Sequence, residues 1–298
     1  MEIIKITFDD PRYPKLLKEI PDFPKELYVW GNVDVLGHEL LAMVGTRKPT
    51  DYGIKAATHL ASSLGMGIGI VSGLAYGIDT IALSESYKNM PAVGVIGSGL
   101  DKESFYPKQN WNLAEKIVEA GGVVISEYPV GMKPLKHHFP ARNRIIAGLA
   151  KALVVIEAGK KSGALITSQL ALEYNRDVFA LAGSIFDEKS KGTNKLINQG
   201  AQIIISVENI FEELDISRQI SMGDSVSNLG ENQVEDDTER LMLNILSSAD
   251  YGLELDELAK LAELDTAKVS STLTVMEIKG LVKKSDSGKY ISTVSKVK

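Results

Sequence analysis

Leu40-Leu41-Ala42-Met43-Val44-Gly45-Thr46-Arg47-Lys48-Pro49-Thr50, residues 40–50, is the stretch whose reading decides the fold. Five apolar residues run into a glycine turn, and the apolar spacing that follows predicts a helix over Tyr52–Leu64. A short run apolar on both faces is a strand buried in a parallel sheet, so the segment reads as strand, turn and helix. The Gly45 turn lets backbone approach a ligand. Amide groups at a helix start, with the Thr46 hydroxyl and the Arg47 guanidinium, suit an anion. A tight turn carrying a solvated arginine is the competing reading.

The same alternation continues outward. Ile68–Val71, Ala92–Ile96, Val123–Ile125, Leu153–Ile156, Val178–Leu181 and Ile203–Ile205 read as further strands, and Gln109–Ala120 and Leu165–Tyr174 as helices between them. These elements predict a Rossmann-like, doubly wound parallel α/β sheet over residues 39–214, with ligands expected beyond the carboxyl ends of its strands. Residues 1–38, punctuated by Pro11, Pro14, Pro21 and Pro24 and ending in Leu27–Gly31, read as a small cap or edge hairpin. Residues 215–237 are polar and acidic with few apolar anchors, the composition of a linker. Over 238–298 the pattern becomes three helices and a hairpin: Thr238 caps Glu239–Ser247, Leu255–Leu261 follows, and Asp265 caps Ala267–Lys279 before the strands at Val282 and Tyr290. That is winged-helix periodicity.

Composition narrows the function classes. The chain has 298 residues, no cysteine and four histidines, which removes disulfides and thiolate chemistry and makes a metal site unexpected. No run approaches the roughly 18 to 20 apolar residues of a membrane span, and the N-terminus lacks a signal peptide's apolar segment, so a cytoplasmic protein is expected. The net charge of −6 argues against nucleic acid until its distribution is considered. From Tyr128 to Lys195 eleven Lys and Arg face five acids, whereas from Asp215 onward ten basic residues face fifteen acids. The basic surface belongs to the large domain.

Companion glycine loops follow the later strands at Ser72-Gly73, Gly97-Ser98-Gly99 and Glu157-Ala158-Gly159-Lys160-Lys161-Ser162-Gly163. No G-x-G-x-x-G opens a helix after a strand and no Walker G-x-x-x-x-G-K-[ST] is present, so neither a dinucleotide nor a nucleoside triphosphate is indicated and no cofactor is expected. The densest cluster is His137-His138-Phe139-Pro140-Ala141-Arg142-Asn143-Arg144. Arg142, Asn143 and Arg144 are placed to meet successive phosphates and Phe139 to stack on an unpaired base. Against this stands a packing role, with Phe139 in the core and Arg142 in a surface ion pair. The loop before Asn194 and Lys195 supplies further donors, with Lys195 closing the same groove.

Taken in order, V-G-T-R-x-P-T-x-Y-G (44–53), S-G-L-A-x-G-I-D (72–79), G-S-G-L-D with Y-P (97–107), S-E-Y-P-x-G (126–131), F-P-A-R-N-R-I-I-A-G-L (139–149), E-A-x-x-x-S-G-x-L-I-T (157–167) and G-T-N-x-L-I (192–197) resemble the DNA-processing protein A family (DprA, or Smf). The resemblance implies a non-enzymatic single-stranded DNA binder that protects DNA, displaces single-strand-binding protein and loads the RecA recombinase during DNA uptake in natural transformation or during recombination. It implies a homodimer. By motif, Gly45, Thr46, Arg47, Ser72, Gly73, Phe139, Arg142, Asn143, Arg144, Lys160, Lys161, Ser162, Gly163, Asn194 and Lys195 would hold the strand. Leu83 stands where the family usually has His.

Two other functions compete. Nucleotide phosphoribohydrolases of the lysine-decarboxylase-like class share the architecture, but their P-G-G-x-G-T-x-x-E turn is here Glu157–Gly163, with no acid two to four residues beyond Gly163 to act as general acid or base. A winged-helix regulator of duplex DNA would use Lys268, Ser270, Ser271 and Thr274.

Overall fold

The computed structural model describes residues 2–214, 237–248, 252–262, 264–279, 281–285 and 288–292. The chain divides into two compact units, Met1–Ile220 and Ser221–Lys298.

In the large unit the elements run β1 (Ile3–Thr7), α1 (Lys15–Lys18), β2 (Glu26–Gly31), β3 (Leu40–Val44), α2 (Asp51–Leu64), β4 (Gly69–Ser72), α3 (Ile78–Ser86), β5 (Val93–Ile96), α4 (Trp111–Glu119), β6 (Val123–Ser126), α5 (His138–Leu149), β7 (Ala152–Val155), α6 (Gly163–Glu173), β8 (Asp177–Ala180), α7 (Lys191–Asn198), β9 (Gln202–Ile203) and α8 (Val207–Glu213). One nine-stranded sheet holds them in the order β1-β2-β6-β5-β4-β3-β7-β8-β9. The strands from β6 to β9 are mutually parallel, which confirms the Rossmann-like class.

The sequence dictates this placement. Every residue of β3, β4, β5, β6 and β7 is buried, so these strands need helices over both faces, and parallel connections supply them. Leu41, Met43, Ile70 and Val154 pack toward α2 and α3, while Leu40, Ala42, Val71 and Leu153 pack toward α5 and α6 residues such as Ile145 and Ala164. The chain enters at β3, winds outward through β4, β5 and β6, then returns to the other side of β3 as β7 and continues to β9. The winding therefore reverses between β3 and β7.

Residues 1–38 are joined to the sheet. β1 and β2 form an antiparallel hairpin, and β2 pairs antiparallel with β6, so the hairpin covers what would be an open parallel edge. The expected strand at Ile203–Ile205 is shorter, Gln202–Ile203, with Ile203 and Ile205 exposed. Leu83 is fully buried in the cluster of Trp30, Leu74, Phe105 and Trp111, an apolar site where an imidazole would lose its hydrogen bonds to water.

The second unit contains α9 (Asp237–Ser248), α10 (Leu255–Ala262), α11 (Thr266–Ile278) and an antiparallel hairpin of β10 (Val282–Lys284) with β11 (Tyr290–Ser292). Met242, Leu246, Leu258, Leu273, Met276 and Val282 form its own core. Asp265 occupies the residue before α11, but its side chain makes no capping hydrogen bond. The expected linker lies outside the described residues apart from Asp237, which opens α9. No helix among the described residues is long and apolar enough to cross a membrane.

Candidate nucleic-acid interface

The loops after β3, β4 and β5 and the first turns of α5 meet in a pocket at the carboxyl edge of the sheet. Arg47, Gly73, Ala75, Tyr76, Gly97, Tyr106, Pro107, Phe139 and Arg142 line it. Arg47 is exposed, and its guanidinium carbon lies 6.0 Å from the centre of the half-buried Phe139 ring. Tyr106 meets the same ring edge-on at 5.5 Å between ring centres. A cation beside a half-buried aromatic ring at a pocket wall suits a planar anionic ligand, stacked on the ring and paired with the arginine.

Arg47 owes its position to Glu157. The carbonyl of Glu157 accepts from the Thr46 amide at 2.7 Å, and its carboxylate accepts from the Thr50 amide at 2.9 Å and from the Thr50 hydroxyl. Both ends of the 46–50 loop are thus held by one residue, which is 1% exposed. This overturns the sequence reading of the α2 start as an anion seat. The Thr50 side chain caps Gly53, and the anion at that helix start is the protein's own carboxylate. Since β7 lies beside β3, Glu157 also closes the crevice where the winding reverses, the place such sheets commonly hold a cofactor. Glu157→Gln should lower the unfolding free energy by about 1–3 kcal/mol, read from urea denaturation, because the amide N–H₂ cannot accept from one of the two Thr50 donors. An unchanged midpoint would show that the carboxylate is not needed there.

Several expected ligands have partners within the fold. Gly45 is required by packing, since a Cβ there would lie 2.6 Å from the Ile78 side chain. Thr46 is fixed by its backbone, and its hydroxyl accepts from the Lys48 amide. Ser72 is fully buried and donates to the Met43 carbonyl at 2.6 Å. Arg142 is 4% exposed and donates to the Gly73 and Val95 carbonyls at the floor of the pocket. Gly73 makes room for it, as a Cβ would stand 2.7 Å from the guanidinium carbon. Burial pulls the Arg142 pKa down to about 10, with nearby Asp79 opposing, and burial raises that of Asp79, with Arg142 opposing. Arg144 is spent on Glu127 at 2.6 Å and Asp22 at 3.2 Å. Ser162 caps α6 through the Ala164 amide, and Asn194 exchanges two hydrogen bonds with the Gly183 backbone.

The expected donor pair at His137 and His138 also divides. His138 is buried, bonded through Nδ1 to the Gly97 carbonyl at 3.2 Å and stacked 3.8 Å from Tyr128, and burial lowers its pKa. Asn143 stays half-exposed beside the Gly163 carbonyl, while Lys160, Lys161 and Lys195 are exposed and form no salt bridge among the described residues. Gly163 is exposed, with open space where a side chain would project.

Sequence reasoning missed Tyr76, Tyr106 and Glu157. The Tyr-Pro pair in the 97–107 pattern signalled Tyr106. An acid closing the all-apolar run Leu153–Ile156 signalled Glu157, since such a carboxylate must find donors. Among the described residues, no three His, Asp or Glu side chains gather as a metal site.

The family profile for DNA recombination-mediator protein A matches residues 5–215 of this chain. The protein Smf of Synechocystis is 38% identical, the alignment covering 96% of this chain and 79% of the relative. The DNA processing protein DprA of Streptococcus pneumoniae is 44% identical over 69% of this chain and 72% of its own length. Its crystal structure superposes with a TM-score of 0.67 at 42% identity, over 72% of this chain and 75% of that one. DNA processing protein A from Helicobacter pylori, solved to describe its single-stranded DNA binding mode, gives a TM-score of 0.64 at 31% identity, over 72% of this chain and 97% of that one.

Proposed function

This chain belongs to the DNA recombination-mediator protein A family, and from that premise we propose that its large unit binds single-stranded DNA along the carboxyl edge of the sheet. The observation that carries the proposal is the exposed Arg47 guanidinium set over the half-buried Phe139 ring in the same pocket, a phosphate donor next to a stacking surface. Arg47, Phe139, Asn143, Lys160, Lys161 and Lys195 are the proposed contacts, with Gly163 letting the strand approach the backbone and Gly73 making room for Arg142 beneath it. Gly45, Thr46 and Arg142 build the site without touching the strand. The proposed chemistry is binding alone, with no cofactor.

We further propose that the protein acts in the cytoplasm as a homodimer. It protects strands entering by natural transformation or arising in recombination, displaces single-strand-binding protein and loads RecA. The second unit, three helices with a hairpin, is proposed to be a winged helix. A gel shift with single- and double-stranded oligonucleotides of equal length over a salt series tests the central claim. Tighter binding of the single strand, weakening linearly in log salt, is the expected result. Preference for duplex, or release of free base from nucleoside monophosphates, would overturn it.

A further inference from the structure

The loop between β8 and α7 carries two apolar side chains that the fold does not bury. Phe186 is 90% exposed and Ile185 73% exposed, the first being the most exposed large apolar side chain among the described residues. The loop is well tied. The Phe186 amide donates to Ser184 Oγ at 3.2 Å, Asp187 to the Ser184 carbonyl at 3.1 Å and Lys189 to Asp187 Oδ1 at 2.9 Å. Its far end is fastened to the β7 loop, where the Ala158 amide donates to the Lys189 carbonyl at 2.7 Å. A phenylalanine held out on a fixed turn avoids the ordering cost that a mobile loop would incur on binding.

Three further observations give this ring a ligand. The loop follows β8, so it lies at the same sheet edge as the Arg47 pocket, two strands from the β3 loop, or about 10 Å at ordinary strand spacing. Tyr52, 51% exposed on the first turn of α2, bridges the interval by donating to the Ala182 carbonyl at 3.0 Å. Exposed Lys160 and Lys161 flank the same stretch on the β7 loop. Aromatic rings alternating with unpaired cations along one edge are the pattern that takes a strand of nucleotides.

Resting on the reading of the large unit as a single-strand binder, we infer that Phe186 is a second base-stacking platform, reached by the same strand after it passes Arg47 and Tyr52. The bound strand then spans several nucleotides per subunit.

Full-length protein carrying Phe186→Ala or Phe186→Trp tests this against oligothymidylates of about 4 and about 15 nucleotides and an abasic 15-mer. Phe186→Ala should weaken binding of the 15-mer about fivefold or more, leave the 4-mer and the abasic strand unchanged, and be rescued by Phe186→Trp. Equal binding of the 15-mer by wild type and Phe186→Ala overturns the inference while leaving single-strand binding intact. A wild-type protein that binds none of these strands overturns the underlying reading instead. A change in sedimentation mass on Phe186→Ala, with strand affinity unchanged, assigns the ring to a contact between copies and overturns the inference too.

Discussion

Arg142→Leu should destabilise the large unit by about 3–5 kcal/mol, because it removes a buried cation whose partners stay behind. The Gly73 and Val95 carbonyls lose their donor, and Asp79, 6% exposed, loses the nearby positive charge that favours its ionised form. At 4% exposure little solvent is available to screen the interaction. For a unit of this size each kcal/mol is worth about 2–4 °C, so calorimetry should find the melting temperature lower by ~6–20 °C. If Arg142 instead met phosphate, its loss would leave melting unchanged and weaken strand binding, and that result would return it to the list of contacts.

Arg47→Ala should do the reverse. Arg47 is exposed, forms no salt bridge among the described residues and is held by backbone contacts at Thr46 and Thr50, which the substitution leaves in place. Melting should move by less than about 2 °C, as for surface changes away from packing. A charge-assisted contact to phosphate is worth ~1.5–3 kcal/mol, so single-strand affinity should fall about 10- to 150-fold, equally for unrelated sequences. The slope of log affinity against log salt should shrink by about 0.7, the share of one phosphate on a single strand. Arg47→Lys should recover the slope better than the affinity, since an ammonium lacks the planar, forked donors of the guanidinium beside Phe139. A loss confined to some sequences, or none, contradicts the assignment.

The sheet was legible because its strands are apolar on both faces. Leu40–Val44 matches the expected bounds, and the strands at 69–72, 93–96, 123–126, 152–155 and 177–180 begin or end within one residue of expectation. Chemistry at the site was less so, for a physical reason: the identity of a polar residue does not say whether its partner is a ligand or the protein. Helical phase carried part of the answer. His138, Arg142, Ile145 and Leu149 recur at steps of four, three and four, which places Arg142 on the inner face of α5, and Phe139 and Asn143 share the adjoining, more open face. The basic excess misled in a similar way. Arg144, Arg176, Lys151 and Lys191 are balanced by Glu127, Glu19, Glu39 and Glu188, and three of those acids lie outside the 128–195 stretch over which the excess was counted. Contacts that join residues a hundred or more positions apart, such as Thr50 to Glu157, leave no local pattern.

The carboxylate of Glu157 at the start of α2 bears on what the proposed interface would discriminate against. Proteins of this architecture draw much of their grip on mononucleotides and dinucleotides from a pyrophosphate seated against that helix. Here the seat is filled from within, so a free nucleotide is left with the modest hold of one arginine and one ring. A polymer can engage many such weak points at once, and its later contacts form at high effective concentration after the first. On the proposed function, filling the strongest subsite with a side chain would make chain length, rather than any single nucleotide, the property that is recognised.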